Sequence, residues 1–422
     1  MKIPRIRRSN IKFQNDQNLS NIPKEELKIF KKIYEKINNL GFENSRYLTF
    51  SDIVENFAIS GVGKIIEFVN ALYKNNIGQL IVICNSQLAL EIEGIIKYIL
   101  GIGDLYLDHK INITFITENE SNKVILEKIK HVFERQKEHK SKIIFTSNIE
   151  NINHLKNIFK FICLVVSKLK YSSSISNDLF YYIGPPSDEY SFLYSKLKKQ
   201  NLFFSSNTFH FNYSAFSSLS LILLATQGIN IAKFVKGYTK ALKTFKNNDI
   251  YKNDALRFAW YLFKHDFKIF FFVSVNKETH FLVRSFAYQL NKSKLVKQTW
   301  FETFSLPEDI PIITQPLTNS DLYIEKSIMI FNINYLNYDF QFTSDINQED
   351  TLKDHDLNTL LSFTNAMQKN FLNLAVSINS QLKISYLKLE NTKDETCGMI
   401  IAFIYWTKIF LASLQEKTPF PS

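Results

Sequence analysis

Short, continuous apolar runs separated by helix-length segments constrain this chain more than any other feature of its sequence. Gln79 to Ile83 (QLIVI) is a run of the kind buried on both faces of a parallel sheet, and Leu88 to Leu100 follows with helical spacing. Ile111 to Ile116 repeats the strand, Lys123 to Phe133 the helix, and Lys142 to Phe145 supplies a third strand. Phe161 to Val166 (FICLVV) reads as another strand, Leu179 to Ile183 as one more, and Tyr190 to Lys199 as a helix. A second round opens with Lys268 to Val275 (KIFFFVSV) and passes through a helix from Thr279 to Leu290. It reaches strands near Ile312 and over Tyr323 to Phe331, then a helix over Leu357 to Asn373 and a strand over Ile384 to Leu389. Units of this size specify parallel sheets covered by helices on both faces, so the expected fold class is α/β with two three-layer lobes.

Between the rounds lies Phe209 to Ile231 (FHFNYSAFSSLSLILLATQGINI), where a serine-rich turn runs into an apolar helix that Gly228 ends. The hydroxyls of Ser214, Ser217, Ser218 and Ser220 are placed to cap the helix's orphan N–H groups. Helices follow over Ala232 to Lys246 and Asp254 to Phe263. The boundaries expected are 1–44 for a polar arm and amphipathic helix, 45–204 for the first lobe, and 205–250 for the central loop and linking helices. The second lobe then takes 251–395 and an apolar terminal helix 396–422. Ser60 to Lys64 (SGVGK) lacks the first glycine and the Ser/Thr of a phosphate loop, since Ala58 and Ile65 flank it.

Composition narrows the partners. Among 422 residues, 45% are hydrophobic and only 9 are Pro and 11 Gly, so packed cores are expected and long structureless loops are not. The net charge of +11 is scattered rather than gathered into a basic stripe with interleaved aromatics, which makes a nucleic-acid partner unexpected. Cys84, Cys163 and Cys397 are odd in number and far apart, which fits a reducing compartment. No export segment and no uninterrupted apolar stretch of bilayer length is read, so a cytoplasmic protein without a membrane partner is expected. The histidines show no metal-ligand spacing with cysteines or carboxylates, and neither metal nor cofactor is expected.

The central stretch resembles the signature of glucose-6-phosphate isomerases, a Gly-Gly-Arg-Phe-Ser-x-x-Ser turn feeding a helix that ends in Ala-Gly-Ile-Asp-Ile. Tyr213, Ser214, Phe216, Ser217, Gly228, Ile229, Asn230 and Ile231 match or conservatively replace it, while His210, Phe211 and Asn212 stand at the two glycines and the arginine. Ile81 to Ala89 (IVICNSQLA) is similar to that family's Gly-Ile-Gly-Gly-Ser-x-x-Gly strand and turn, with Ser86 kept and Cys84 and Asn85 at glycine positions. Val165-Val166-Ser167-Lys168 resembles the strand leading into its sugar-phosphate turn, Ser-Lys-Ser-Gly-Thr-Thr, where Leu169, Lys170, Tyr171 and Ser172 stand. Asn391 to Ala402 with Thr418-Pro419-Phe420 is similar to the closing helix and its Asn-Pro-Phe-Asp segment. The order of pieces matches that family across nearly the whole chain. The resemblance therefore implies two sugar-isomerase (SIS-type) lobes joined by a central helix, a homodimer, and Ser86, Ser167, Lys170, Ser172 and Ser214 as contacts to a sugar phosphate.

The same resemblance implies a carboxylate base, a ring-opening histidine, an arginine, and a lysine in a tail beyond Ser422. Gln289 to Lys297 aligns with the base's Gln-Leu-x-x-Glu-Ser-x-Gly-Lys segment, and Ser293 holds the glutamate's place. No Asp or Glu occurs between Glu278 and Glu302, no His between His280 and His355, and no Arg between Arg135 and Arg257. A register shift of a few residues restores none of these groups. Asn212 and Ser293 are vestigial positions on this reading, and the expected protein is a catalytically silent family member that keeps a scaffold or binding role, with an unidentified protein as partner. An active isomerase using Glu278, His280 or Glu302 instead is the second reading, and a binder of anions or nucleic acid the third.

Overall fold

A computed structural model describes residues 11–15, 22–49, 51, 54, 61–101, 110–134, 140–147, 149–168, 178–205, 209–293, 295–296, 298–318, 326–334, 360–378 and 382–420. The chain forms two compact units. The first lobe comprises residues 44–96 and 103–235, and the second comprises 1–43, 97–102 and 236–421.

In chain order, β1 (Ile11–Asn15) and α1 (Lys24–Asn38) belong to the second lobe. The first lobe then runs α2 (Val62–Lys74), β2 (Ile77–Cys84), α3 (Ser86–Leu100), β3 (Asn112–Thr117), α4 (Asn122–Glu134) and β4 (Lys140–Thr146). It continues with α5 (Ile152–Lys168), β5 (Phe180–Gly184), β6 (Leu202–Phe204) and α6 (Ser218–Thr226). Along α7 (Ile231–Phe245) the chain passes into residues of the second lobe, which adds α8 (Asp254–Lys264), β7 (Ile269–Ser274), α9 (Lys277–Ser293) and β8 (Trp300–Ser305). α10 (Ile310–Thr318), β9 (Lys326–Ile333), α11 (Leu360–Ile378), β10 (Lys383–Leu389) and α12 (Asp394–Leu414) complete it.

The first sheet is parallel throughout, in the order β3-β2-β4-β5-β6. Ile81 and Ile83 of β2 face one side with Ile143 and Phe145 of β4, against Ile125 and Ile129 of α4 and Leu155 and Ile162 of α5. Helices α2 and α6 pack together and meet β2 and β5, which carry the remaining apolar side chains. Alternate strand residues thus reach opposite helical layers, and a chain with runs such as QLIVI must bury both faces.

The second sheet has the order β1-β10-β9-β7-β8 and is parallel except for β1, which pairs antiparallel with β10. Phe271 and Val273 meet α10 and α11 through Ile313, Phe371 and Ala375. On the opposite face Phe272 stacks on Phe286 of α9 at 5.0 Å, and Phe258 of α8 stacks on Phe403 of α12 at 5.6 Å.

Several expectations need correction. Phe161 to Val166 is not a strand but the second half of α5. Its buried residues Leu155, Ile158, Phe159, Ile162, Val165 and Val166 recur every three or four positions, and Leu164 is 51% exposed, which a strand covered on both faces would not allow. Ile312 lies in α10 rather than a strand; Pro311 is tolerated in the first helical turn, where its missing N–H would have had no partner. Tyr190 to Lys199 holds only one helical turn, Ser191–Tyr194, between 3-10 turns. Three strands were not anticipated: β6, β8, and β1 within the supposedly polar arm, where Ile11 and Phe13 turn inward. Finally, α12 is long and apolar enough to cross a membrane, contrary to expectation, yet its apolar window is wholly buried among the helices and strands of its own lobe.

Candidate functional site

In open parallel sheets, ligands bind beyond the carboxyl ends of the strands where the strand order reverses. In the first lobe that place is the end of β2, flanked by β3 and β4. The strand-to-helix turns there hold no glycine, and several of their N–H groups are bonded by the chain's own side chains. After β2, Asn85 is buried, and its Oδ1 accepts from the N–H of Leu88 at 2.7 Å, capping α3. After β3, Glu120 accepts from the N–H and hydroxyl of Thr117, both at 3.1 Å, and pairs with Lys128 at 2.7 Å. After β4, Glu118 Oε2 accepts from the N–H of Glu150 at 3.2 Å, and Asn151 Oδ1 caps α5 through the N–H groups of Asn153 (2.9 Å) and His154 (3.2 Å).

Those side chains also set the charge. Glu118, Glu120 and Glu150 collect at this edge, with Lys128 committed to Glu120. Burial first, and then the charges of Glu118 and Glu120, push the Cys84 thiol far above its ordinary range, so it stays a neutral core thiol. Ser86 accepts from Asn119 Nδ2 at 3.3 Å. A helix N-terminus attracts anions through open N–H groups; here Asn85 and Asn151 take the N–H groups of Leu88, Asn153 and His154.

Behind this edge, the central loop forms a 3-10 turn over Phe211–Tyr213. Several hydrogen bonds tie it within the lobe. Asn212 N–H donates to His210 Nδ1 at 3.2 Å, and Gln87 Nε2 donates to the Asn212 carbonyl at 3.0 Å. Ser214 donates to the Phe211 carbonyl at 3.2 Å, Ser220 to the Ser214 carbonyl at 2.6 Å, and Ser217 Oγ accepts from the N–H of Ser220 as the cap of α6. His210 is buried, stacked on Phe211 at 4.3 Å and edge-on to Tyr47 at 5.1 Å.

In the second lobe, Ser293 ends α9 and donates its hydroxyl to the Leu290 carbonyl at 2.8 Å. Gln289, four residues earlier, is buried and accepts from Lys408 of α12 at 3.0 Å. Glu302 accepts from the Trp300 indole and from the N–H of Thr303, both at 3.1 Å. Burial lowers the His280 imidazole below its ordinary pKa, although Asp309 and the Phe304 carbonyl pull it upward. Glu278 is half-buried in the first turn of α9.

The first lobe thus holds Ser86, Asn212 and Ser214, and the second holds Ser293. Ser167 is not in a strand-to-helix turn: it sits exposed in the last turn of α5, donating to the Leu164 carbonyl at 2.8 Å. The strand–turn–helix unit beside it in the chain is β4, Ser147–Asn151 and α5. Lys170 and Ser172 lie outside the described residues. The residues overlooked in the sequence were Glu118, Glu120, Glu150, Asn151 and Gln87. Asn151 and Ser121 each stand just before a helical run and cap it, a signal that helix-start rules could have caught.

Two lobes, each a five-stranded and mainly parallel sheet covered by helices, define a protein built from paired α/β domains. Over 98% of its length and 96% of the relative's, the chain is 23% identical to glucose-6-phosphate isomerase of Mycoplasmopsis pulmonis (strain UAB CTIP). Among solved structures it is similar to a hypothetical protein of Thermus thermophilus, with a TM-score of 0.77, 16% identity, and 98% and 96% of the two chains covered. It is also similar to glucose-6-phosphate isomerase of Chlamydia trachomatis D/UW-3/Cx, with a TM-score of 0.69, 8% identity, and 98% and 86% covered. No family model matches the sequence. Over nearly its whole length the chain is thus similar to glucose-6-phosphate isomerases.

Proposed function

We propose that this chain is a member of that family that no longer isomerises sugar phosphates and persists as a scaffold or binding protein. The observation that carries the proposal is the carboxyl edge of the first sheet. There the N–H groups of Leu88, Asn153 and His154 are taken by Asn85 and Asn151, and that of Glu150 by Glu118, while Glu118, Glu120 and Glu150 oppose a phosphate dianion. A sugar phosphate would have to displace these bonds and approach like charge.

Further support comes from the positions that the family resemblance assigns to chemistry. Asn212 cannot offer a positive charge, and the Ser293 hydroxyl, bonded to a helix carbonyl, has no basic partner among the described residues to make it a base. General acid–base catalysis is typically worth about 10²–10⁴-fold, and stabilisation of the developing oxyanion about another 10²–10³. Loss of both accounts for silence without any change of fold. A homodimer in the cytoplasm is part of the proposal, on the family resemblance alone.

The test is a coupled assay of fructose 6-phosphate conversion to glucose 6-phosphate, beside a preparation of an unrelated tagged protein. Turnover equal to that blank is expected, as is an unchanged melting temperature with millimolar fructose 6-phosphate or 6-phosphogluconate, since a ligand of the native state must raise it. Turnover clearly above the blank overturns the reading. The second reading would then be re-examined through Glu302→Gln and His280→Gln.

A further inference from the structure

In the second lobe, one face of α7 and the start of α12 enclose a cavity of about 600 Å³. Its apolar lining includes Ile11, Phe245 and Met399, each buried, and its polar lining includes Lys236, Lys240 and Lys243. The lysines are spaced four and three residues apart, so they share one helical face and converge on the same opening. Gly237 lets the two helices approach: a Cβ there would stand 2.0 Å from the Glu395 carbonyl oxygen.

The charges around the cavity do not cancel. Glu395 is paired with Lys240 at 2.9 Å, and Asp254 is paired with Arg257. Lys236 and Lys243 are exposed and form no ion pair among the described residues. Two cations therefore face a concavity with an apolar floor. That combination is the usual make-up of a small-molecule site, where apolar surface supplies affinity and a few polar groups fix orientation. The volume exceeds what a bare inorganic anion needs, and the concave shape suits a small molecule better than a polyanion lying across a flat surface.

We propose that this cavity binds a small phosphorylated molecule with an apolar or planar body, its phosphate held by Lys236 and Lys243. Both acids in the lining are already paired, Glu395 with Lys240 and Asp254 with Arg257. The site is independent of the sugar-phosphate edge of the first lobe, and stands or falls whatever the isomerase assay gives.

Calorimetric titration of the full chain with ADP, adenosine and inorganic phosphate tests it. Saturable binding of ADP is expected, with adenosine and phosphate each at least about tenfold weaker because each keeps only half of the interaction. Lys236→Ala together with Lys243→Ala should weaken ADP at least about tenfold, as loss of charge-assisted bonds does. Both side chains are exposed, so the melting temperature without ligand should not move. Lys196→Ala with Lys199→Ala, on exposed lysines of the first lobe, should leave binding unchanged. Failure of ADP to bind saturably overturns the proposal, and so does binding that the Lys236 and Lys243 pair does not affect. Competition by single-stranded RNA that persists in the double variant would assign the basic charge to a polyanion surface and overturn it as well.

Discussion

In the first lobe β2, second from the edge of its sheet, holds Leu80, Ile81, Val82 and Ile83, and β7, in the same place in the second lobe, holds Phe270, Phe271, Phe272 and Val273. Around them the strand orders correspond, β3-β2-β4-β5 in one sheet and β8-β7-β9-β10 in the other. Only the fifth position differs, a parallel β6 in the first lobe and an antiparallel β1 in the second. At this one strand the same topology is filled with aliphatic side chains in one lobe and with rings in the other, while elsewhere the first lobe also packs rings, as in Phe145, Phe159 and Phe180. What the strand order demands is buried volume in alternating layers, and the chemistry of the filling is free to drift.

The largest expected effect sharpens that contrast. Phe272 is fully buried and lies against Phe286 at 5.0 Å and Phe301 at 5.6 Å, with interplanar angles of 26° and 14°. Phe272→Ala should cost the second lobe about 3–5 kcal/mol, whereas Ile83→Val in the first lobe should cost about 0.5–1.5 kcal/mol. Trp260, Trp300 and Trp406 all belong to the second lobe, so tryptophan fluorescence during urea unfolding reports on that lobe, and far-UV circular dichroism reports on both. A fluorescence midpoint that falls in Phe272→Ala ahead of the dichroism midpoint is expected. Coincident midpoints would show that the lobes unfold as one unit.

Strands β2 and β3 of the first lobe were also easier to read from sequence than β8 of the second. QLIVI and ITFI stood out as strands because several adjacent apolar residues are needed to cover two faces at once. WFETFS did not, because Trp300 is 59% exposed and Glu302 is engaged at the edge of the sheet, so its pattern lacks the expected run. FICLVV misled for the opposite reason. Six apolar residues in a row satisfy either period, and only the upstream Leu155, Ile158 and Phe159 mark the helix. At the candidate site, the departures from the family pattern at Asn212 and Ser293 were legible. The bond from the Glu150 N–H to Glu118 was not, since it joins different turns and depends on strand neighbours that no local pattern gives.

The turns after β2 and β7 offer a finer contrast, because each holds an asparagine just before its helix. Asn85 Oδ1 caps Leu88, while Asn276 Oδ1 is buried with no hydrogen-bond partner among the described residues. Asn85→Ala should therefore destabilise the first lobe by about 1 kcal/mol, the ordinary cost of a lost cap. Asn276→Ala removes an oxygen that makes no bond, and should be neutral or slightly stabilising. Amide hydrogen exchange over α3 and α9 separates the two. Faster exchange at the start of α9 in Asn276→Ala, as large as that of α3 in Asn85→Ala, would break the contrast.

Four residues beyond these asparagines the lobes part again, with Ala89 in α3 and His280 in α9. Burial lowers the His280 imidazole, opposed by Asp309, the Phe304 carbonyl and Glu308 and helped by Arg284. The folded state thus binds a proton less readily than the unfolded chain does. The stability that follows is complete above the unfolded value of about 6.5 and is lost as pH falls from there through the lowered folded value. His280→Gln keeps a polar side chain of similar reach and removes the titration. Urea midpoints read by tryptophan fluorescence should fall less steeply between about pH 6.5 and 5 in this variant than in the parent. Asp309→Asn should steepen the parent's fall, because it removes the charge that holds the imidazole up. An unchanged slope in His280→Gln would move the acid sensitivity of the second lobe to its carboxylates, and the histidine would then be a packing residue only.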